Sequence, residues 1–308
     1  MSRMSGNSLD LRTHIKNSMT QHLNENNGLI FGHNLTDVGW VAGTIPELPD
    51  HSGYVELPIT DIAGVGLAVG ASLSGRPIIF ISRYQGYLWF NLAPIATYAA
   101  IADKVFEQES WIMVRSIADD GAFGPIASGT YLSLAAQIPN LDIVSPTSPE
   151  EWVEVWSHFV SNHKPIFVSE HRSSYSNFQG VELHSDKPDV VILSIGGNAI
   201  NSESLKSLLS GENLECSVFN LLWIKPLKFP ERFLESLNEA KHCFILDPSF
   251  KDYGLAQSVA HVLSELTNVP TTIIASKHEI PGYAKELRSS LLSADQVFNE
   301  VKRVMGDE

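Results

Sequence analysis

Leu57-Pro58-Ile59-Thr60-Asp61-Ile62-Ala63-Gly64-Val65-Gly66-Leu67-Ala68-Val69-Gly70-Ala71 sets an acidic side chain at the mouth of a run built almost wholly of glycine, alanine and aliphatic residues. The run predicts a tightly packed helix reaching about Ser74. Thr60 or Asp61 falls at its start, where a short polar side chain accepts backbone N–H bonds and complements the helix dipole. A simple cap and a functional carboxylate are the two readings that residue type allows for Asp61.

Working outward, the pattern is one of strands alternating with helices. Upstream, Leu9 to Leu23 predicts a helix closed by Asn24-Glu25-Asn26-Asn27-Gly28, and Leu29-Ile30-Phe31-Gly32 predicts a buried strand. His33 to Ser52, with Gly39, Trp40, Gly43, Pro46 and Pro49, predicts a long loop, and loops of that length in a compact domain are usually functional. Downstream come strands at Pro77 to Ser82, Trp111 to Arg115, Leu141 to Pro146 and Pro165 to Val168. Helices are predicted between them, from Tyr87 into Phe106, around Tyr131 to Gln137, and from Trp152 to Asn162. This alternation implies parallel βαβ units. A polar stretch from Phe178 to Pro188 predicts a linker, after which the alternation restarts with strands at Val190 to Ile195, Glu215 to Asn220, His242 to Leu246 and Pro270 to Ala275. The expected organisation is two α/β domains, residues 1–180 and 188–308.

Composition narrows the function. The 308 residues are 44% apolar and 18% charged, enough for two ordinary cores, and the formal charge of −14 argues against a nucleic-acid or anionic-membrane partner. Cys216 and Cys243 fall in different predicted elements without metal-type spacing, so neither a disulfide framework nor a zinc site is expected. The polar first residues and the lack of a long apolar run predict a protein of the cytoplasm.

Three further stretches carry candidate chemistry. Arg83-Tyr84-Gln85-Gly86-Tyr87-Leu88-Trp89 follows a buried strand and spaces two aromatics three residues apart. Asp119-Asp120-Gly121-Ala122-Phe123-Gly124-Pro125-Ile126-Ala127-Ser128-Gly129 is a glycine-rich loop ahead of a helix. Glu170-His171-Arg172-Ser173-Ser174-Tyr175 follows the last strand of the first domain, where His171 and Arg172 suit an anionic substrate or a partner chain. The dipeptide Gly196-Gly197 lacks the third glycine of a nucleotide loop and reads as a tight turn.

Together these segments resemble the pyrimidine-binding half of thiamine-diphosphate enzymes. The likeness is to beta subunits of 2-oxo-acid dehydrogenases and to separately encoded C-terminal halves of transketolases. Ile224-Lys225-Pro226-Leu227 and the Leu246 to Leu255 stretch resemble the C-terminal domain of the same families. The resemblance implies a pyrimidine-binding fold followed by a transketolase C-terminal-like domain. It makes Asp61 the partner of the aminopyrimidine ring, where relatives carry a glutamate, and Tyr84 and Tyr87 the aromatics that stack on that ring. His33 becomes a catalytic candidate at a position that approaches the cofactor, with His51 a weaker one. Relatives carry one or two histidines where this chain has Ala127 and Ser128. No Gly-Asp-Gly with a downstream asparagine is present, so the resemblance implies that an alpha-type partner subunit supplies the diphosphate and Mg²⁺ site. Pairing with a second copy of this chain is also implied, in a heterotetramer-like assembly acting on a small-molecule 2-oxo acid or ketose. A catalytically silent homologue serving as a structural or regulatory subunit is the other reading.

Overall fold

The strands are β1 Leu29–His33, β2 Tyr54–Leu57, β3 Ile78–Ser82, β4 Ile112–Ala118, β5 Asp142–Val144, β6 Ile166–His171, β7 Val190–Ser194, β8 Cys216–Asn220, β9 Trp223–Lys225, β10 His242–Phe250 and β11 Thr271–Ser276. They come from a computed structural model that describes residues 10–37, 39–60, 62–119, 124–175, 182–276, 283 and 291–306. The first sheet runs β2-β1-β3-β4-β6-β5-β9, and the second β11-β10-β7-β8. Every pairing is parallel except that of β9 with β5.

β3, β4 and β6 are buried along their whole length, which is why their sequences read as unbroken apolar runs. Alternate residues feed opposite layers. Phe31, Phe80, Val114 and Phe167 pack with Val65, Ala68 and Val69 of the helix Ile62–Leu73. Ile30, Ile79, Met113 and Val168 face the helices Leu11–Asn24 and Pro149–Asn162. Pro149–Asn162 starts where Ser148 and Glu151 form a reciprocal capping box, and its Trp152 donates from Nε1 to Ser18 Oγ of the first helix at 3.0 Å.

The two sheets share one core, because the Phe80 layer continues through Leu193, Phe219 and Ile245 of the second. The far face of the second sheet is closed by the helices Ser202–Ser210 and Ala294–Gly306.

The structure differs from the sequence reading in four places. The segment read as one helix from Tyr87 to Phe106 is broken into the 3₁₀ turn Gln85–Tyr87, the helix Leu88–Pro94, the π turn Ile95–Ala99 and the helix Ala102–Val105, since Pro94 has no N–H to donate. Ile224 and Lys225, given no element in the sequence reading, lie in β9, which adds an antiparallel edge to the first sheet. There Lys225 Nζ donates to the Ala136 carbonyl at 3.1 Å and to that of Ile138, and Trp223 Nε1 donates to Glu154. β10 runs on to Phe250 past a bulge between Asp247 and Phe250. The loop after β1 holds an ordered turn, Gly39–Gly43, described below. Of the predicted linker, residues 178–181 lie outside the described residues, and Leu183 pairs with Val218.

Candidate cofactor and substrate site

Parallel strands bring their carboxyl ends to one edge, and ligands of such sheets bind there. The register pairs His33 with Leu57, Ser82 with Ser116 and Ala118 with His171, so the segments following β1, β2, β3, β4 and β6 meet. His33 is buried, its ring edge-on to Phe80 with centroids 6.3 Å apart. It faces Gly64, where a Cβ would stand 3.4 Å from His33 Nε2 and only 2.7 Å from Thr60 Oγ1. Glycine therefore lets the helix start close against both side chains. Among the described residues, buried Thr60 Oγ1 has no hydrogen-bond partner. Asp61 lies outside the described residues.

Beside this corner stand Tyr84 and Tyr87, nearly parallel at 26° with centroids 6.5 Å apart. Gln85 between them is buried and bolts the turn down: its Nε2 donates to Ser169 Oγ at 2.7 Å and its Oε1 accepts from the Tyr131 N–H at 3.0 Å. Gly86 lies flat on the Ile126 backbone, where an added Cβ would come within 2.5 Å of the carbonyl oxygen. Ala127 and Ser128 follow, both buried, with the Ala127 carbonyl accepting from the Asp119 N–H at 2.9 Å.

A small pocket opens at Tyr84, lined also by Val41, Ala42, Arg83, Ile117, Asp119, Arg172 and Tyr175. Arg83 donates to the Asn34 carbonyl at 2.7 Å, and Arg172 donates to Asp119 at 2.5 Å. Within the chain Arg172, read in the sequence as suited to an anionic substrate or a partner chain, pairs with Asp119. Burial works against the Arg172 charge, but the Asp119 carboxylate outweighs it and holds the guanidinium above its ordinary pKa.

Beneath the pocket Arg115 reaches from β4 to Glu170 on β6, with Nε to Oε1 at 2.6 Å and Nη2 to Oε2 at 2.8 Å. The Tyr175 hydroxyl donates to the same Oε2 at 2.6 Å, and Arg115 Nη2 also donates to Thr44 Oγ1 at 3.1 Å. Burial first, then the Glu170 charge, lift the Tyr175 phenol well above its usual range, so it stays a neutral donor.

Thr44 ends the turn Gly39–Gly43, in which five successive residues have positive φ: 61° at Gly39, 52° at Trp40, 54° at Val41, 56° at Ala42 and 75° at Gly43. Glycine adopts this region freely, whereas each L-residue in a left-handed helical turn costs about 1–2 kcal/mol.

The structure thus brings His33, Thr60, Tyr84 and Tyr87 to one edge. His51 goes elsewhere, accepting from the Gly53 N–H at 3.0 Å ahead of β2, at the opposite end of that strand from Leu57. Sequence reasoning missed the Arg115–Glu170–Tyr175–Thr44 network and the Gly39–Gly43 turn. The available signals were a lone arginine in an apolar strand and a pair of glycines four apart.

Comparison with known proteins accords with the fold. Residues 7–177 match the transketolase pyrimidine binding domain and residues 179–297 the transketolase C-terminal domain. The pyruvate dehydrogenase E1 component subunit beta of Rickettsia bellii is 22% identical over 276 residues, covering 81% of this chain and 83% of that protein. The acetoin:2,6-dichlorophenolindophenol oxidoreductase subunit beta of Cupriavidus necator is 21% identical over 239 residues, covering 72% and 70%. A solved structure described as a split gene transketolase, inactive beta4 tetramer, shares the fold with a TM-score of 0.72 at 16% identity, covering 97% of this chain and 99% of that one. The chain belongs to the transketolase pyrimidine-binding-domain family, with a transketolase C-terminal domain behind it.

Proposed function

We propose that this chain is the beta-type subunit of a heteromeric thiamine-diphosphate enzyme that makes or breaks a carbon–carbon bond beside a carbonyl. The substrate is a 2-oxo acid or a ketose, and the pyruvate dehydrogenase names among the curated relatives favour the 2-oxo acid. The observation that carries the reading is the convergence of the stacked Tyr84–Tyr87 pair with the buried Thr60 Oγ1, which has no partner among the described residues, at one sheet edge. An aromatic face beside an orphaned polar oxygen fits a flat ring bearing hydrogen-bonding edges.

In this reading Tyr84 and Tyr87 hold the aminopyrimidine face and Asp61 its ring nitrogen, while proton transfer at Nε2 falls to His33. The chemistry supplied by bound thiamine diphosphate is nucleophilic addition to the substrate carbonyl. The diphosphate and Mg²⁺ belong to an alpha-type partner subunit, and the domain limits are residues 1–180 and 188–308. The helix Ile62–Leu73 supports self-association: Val65, Ala68 and Val69 are buried, yet Ile62 and Leu67 on its other side are 52% and 61% exposed and no residue in it is charged. A helix apolar all round belongs inside an assembly. We assign its outer face to a second copy of this chain, and the compartment to the cytoplasm.

The buried Ala127 and Ser128, which offer no imidazole, favour the alternative of a silent structural subunit. Thiamine-diphosphate titration of the partner-bound complex separates the two. Tyr84→Ala should weaken binding at least tenfold and Tyr84→Phe should retain it; equal affinity in all three forms refutes the assignment.

A further inference from the structure

We propose that the left-handed turn Gly39–Gly43 is a preset specificity wall for the carbon chain of the substrate, and that Thr44, gripped by Arg115, is the positioning residue that holds it. The inference rests on the functional reading above and adds what limits the substrate. Trp40, Val41 and Ala42 sit at φ/ψ of 52/53°, 54/56° and 56/32°. Three consecutive L-residues remain in that region only when their surroundings over-determine it.

The surroundings do so here. Thr44 is wholly buried; its Oγ1 donates to the Val41 carbonyl at 2.8 Å while accepting from Arg115 Nη2 at 3.1 Å. The N–H groups of Thr44 and Ile45 close the turn on the Val41 and Trp40 carbonyls at 3.2 and 3.3 Å. Val41 and Ile45 are anchored in the core, and the Trp40 ring packs on Tyr54 at 5.9 Å. Arg115 is in turn fixed by Glu170, which also fixes Tyr175, another wall of the same pocket. One buried network therefore sets two sides of the cavity.

Those sides divide by chemistry. Val41, Ala42, Ile117 and the Tyr175 ring offer carbon, whereas Arg83, Asp119 and Arg172 offer charge. A substrate reacting beside Tyr84 lays its alkyl part on Val41 and Ala42 and its polar groups on the arginine side. Because the turn cannot slide without breaking the Thr44 bonds, the wall does not yield to a longer chain. The pocket is thus matched to a short acyl group.

The test uses the complex purified with its native partner, with pyruvate, 2-oxobutyrate and 2-oxovalerate as probes. Ala42→Gly removes one methyl from the wall at a φ glycine prefers, and a methylene is worth about tenfold or more in such pockets. The kcat/KM ratio of 2-oxovalerate to pyruvate should rise at least fivefold. Thr44→Val, which keeps shape and loses the hydroxyl, should blur the same ratio and speed amide exchange of residues 40–45 at least tenfold, with exchange in β10 unchanged; Thr44→Ser should restore both. An unchanged ratio in Ala42→Gly, or unchanged exchange in Thr44→Val, overturns the proposal. If the wild-type complex turns over none of the three acids, the 2-oxo-acid reading and the acyl wall fail together, while the exchange result still decides whether Thr44 holds the turn.

Discussion

Arg115 and Glu170 meet across β4 and β6 as a two-point ion pair, 2.6 and 2.8 Å long, with side chains 0% and 1% exposed. A pair this deep is weak evidence of net stability, because desolvation offsets much of the attraction, but removing one member strands the other. Glu170→Gln should therefore lower the unfolding free energy by about 3–5 kcal/mol in urea titration. The double variant Arg115→Met with Glu170→Leu should cost less than Glu170→Gln alone. A double variant at least as damaging as the single one contradicts this account of the pair.

Gly86 lies against the Ile126 backbone with no room for a methyl. Backbone cannot swing aside as a flexible side chain can, so Gly86→Ala should destabilise by about 1–3 kcal/mol. Because the same turn carries Tyr84 and Tyr87, thiamine-diphosphate affinity of the complex should fall as well. Full stability and full affinity in this variant argue against the packing described.

Much of the first sheet was legible because its strands are apolar on both faces, and both domains could be read from strand–helix alternation alone. Tyr84 and Tyr87 were legible as a pair through their spacing. β9 was not, since Trp223–Lys225 is three residues long and takes its strand character from pairing with Ile143 and Val144, some eighty residues away in the chain. The left-handed turn was equally hidden: Trp40, Val41 and Ala42 have no local preference for positive φ, and the Thr44 bonds to Val41 and Arg115, with the core beneath, fix it there.

Two ionisable groups, the buried His22 and the partly exposed Glu182, give stability opposite slopes with pH. His22 is fully buried, and burial above all, opposed by its hydrogen bond to the Leu29 carbonyl and reinforced by Arg76, lowers its pKa from 6.5 to about 4. The unfolded chain takes up this proton before the folded one does. Stability should therefore fall by about 3 kcal/mol as the pH drops through that window.

Glu182 behaves the other way. Partial desolvation of a side chain still 39% exposed, then the neighbouring Glu151, raise its pKa from 4.5 to about 7, so its contribution is present below pH 4.5 and is lost as the pH rises towards 7. Thermal unfolding from pH 4 to 7.5 separates the two. His22→Gln should flatten the acid limb, and Glu182→Gln should remove the decline towards neutrality. Parallel profiles for both variants and the wild type contradict the assignments.

Leu67, 61% exposed on the helix Ile62–Leu73, is assigned to the contact with a second copy. Leu67→Glu buries a charge in that contact and should halve the assembly mass in sedimentation while leaving the far-ultraviolet dichroism intact. An unchanged mass places the subunit contact elsewhere.

The most direct test of the central claim is to purify the chain from its native cells in mild salt, identify any stoichiometric partner by mass, and assay bound thiamine diphosphate. A partner bearing a Gly-Asp-Gly motif with a downstream asparagine is expected, with cofactor retained only while the two chains remain together. A lone oligomer of this chain, without partner or cofactor, contradicts it.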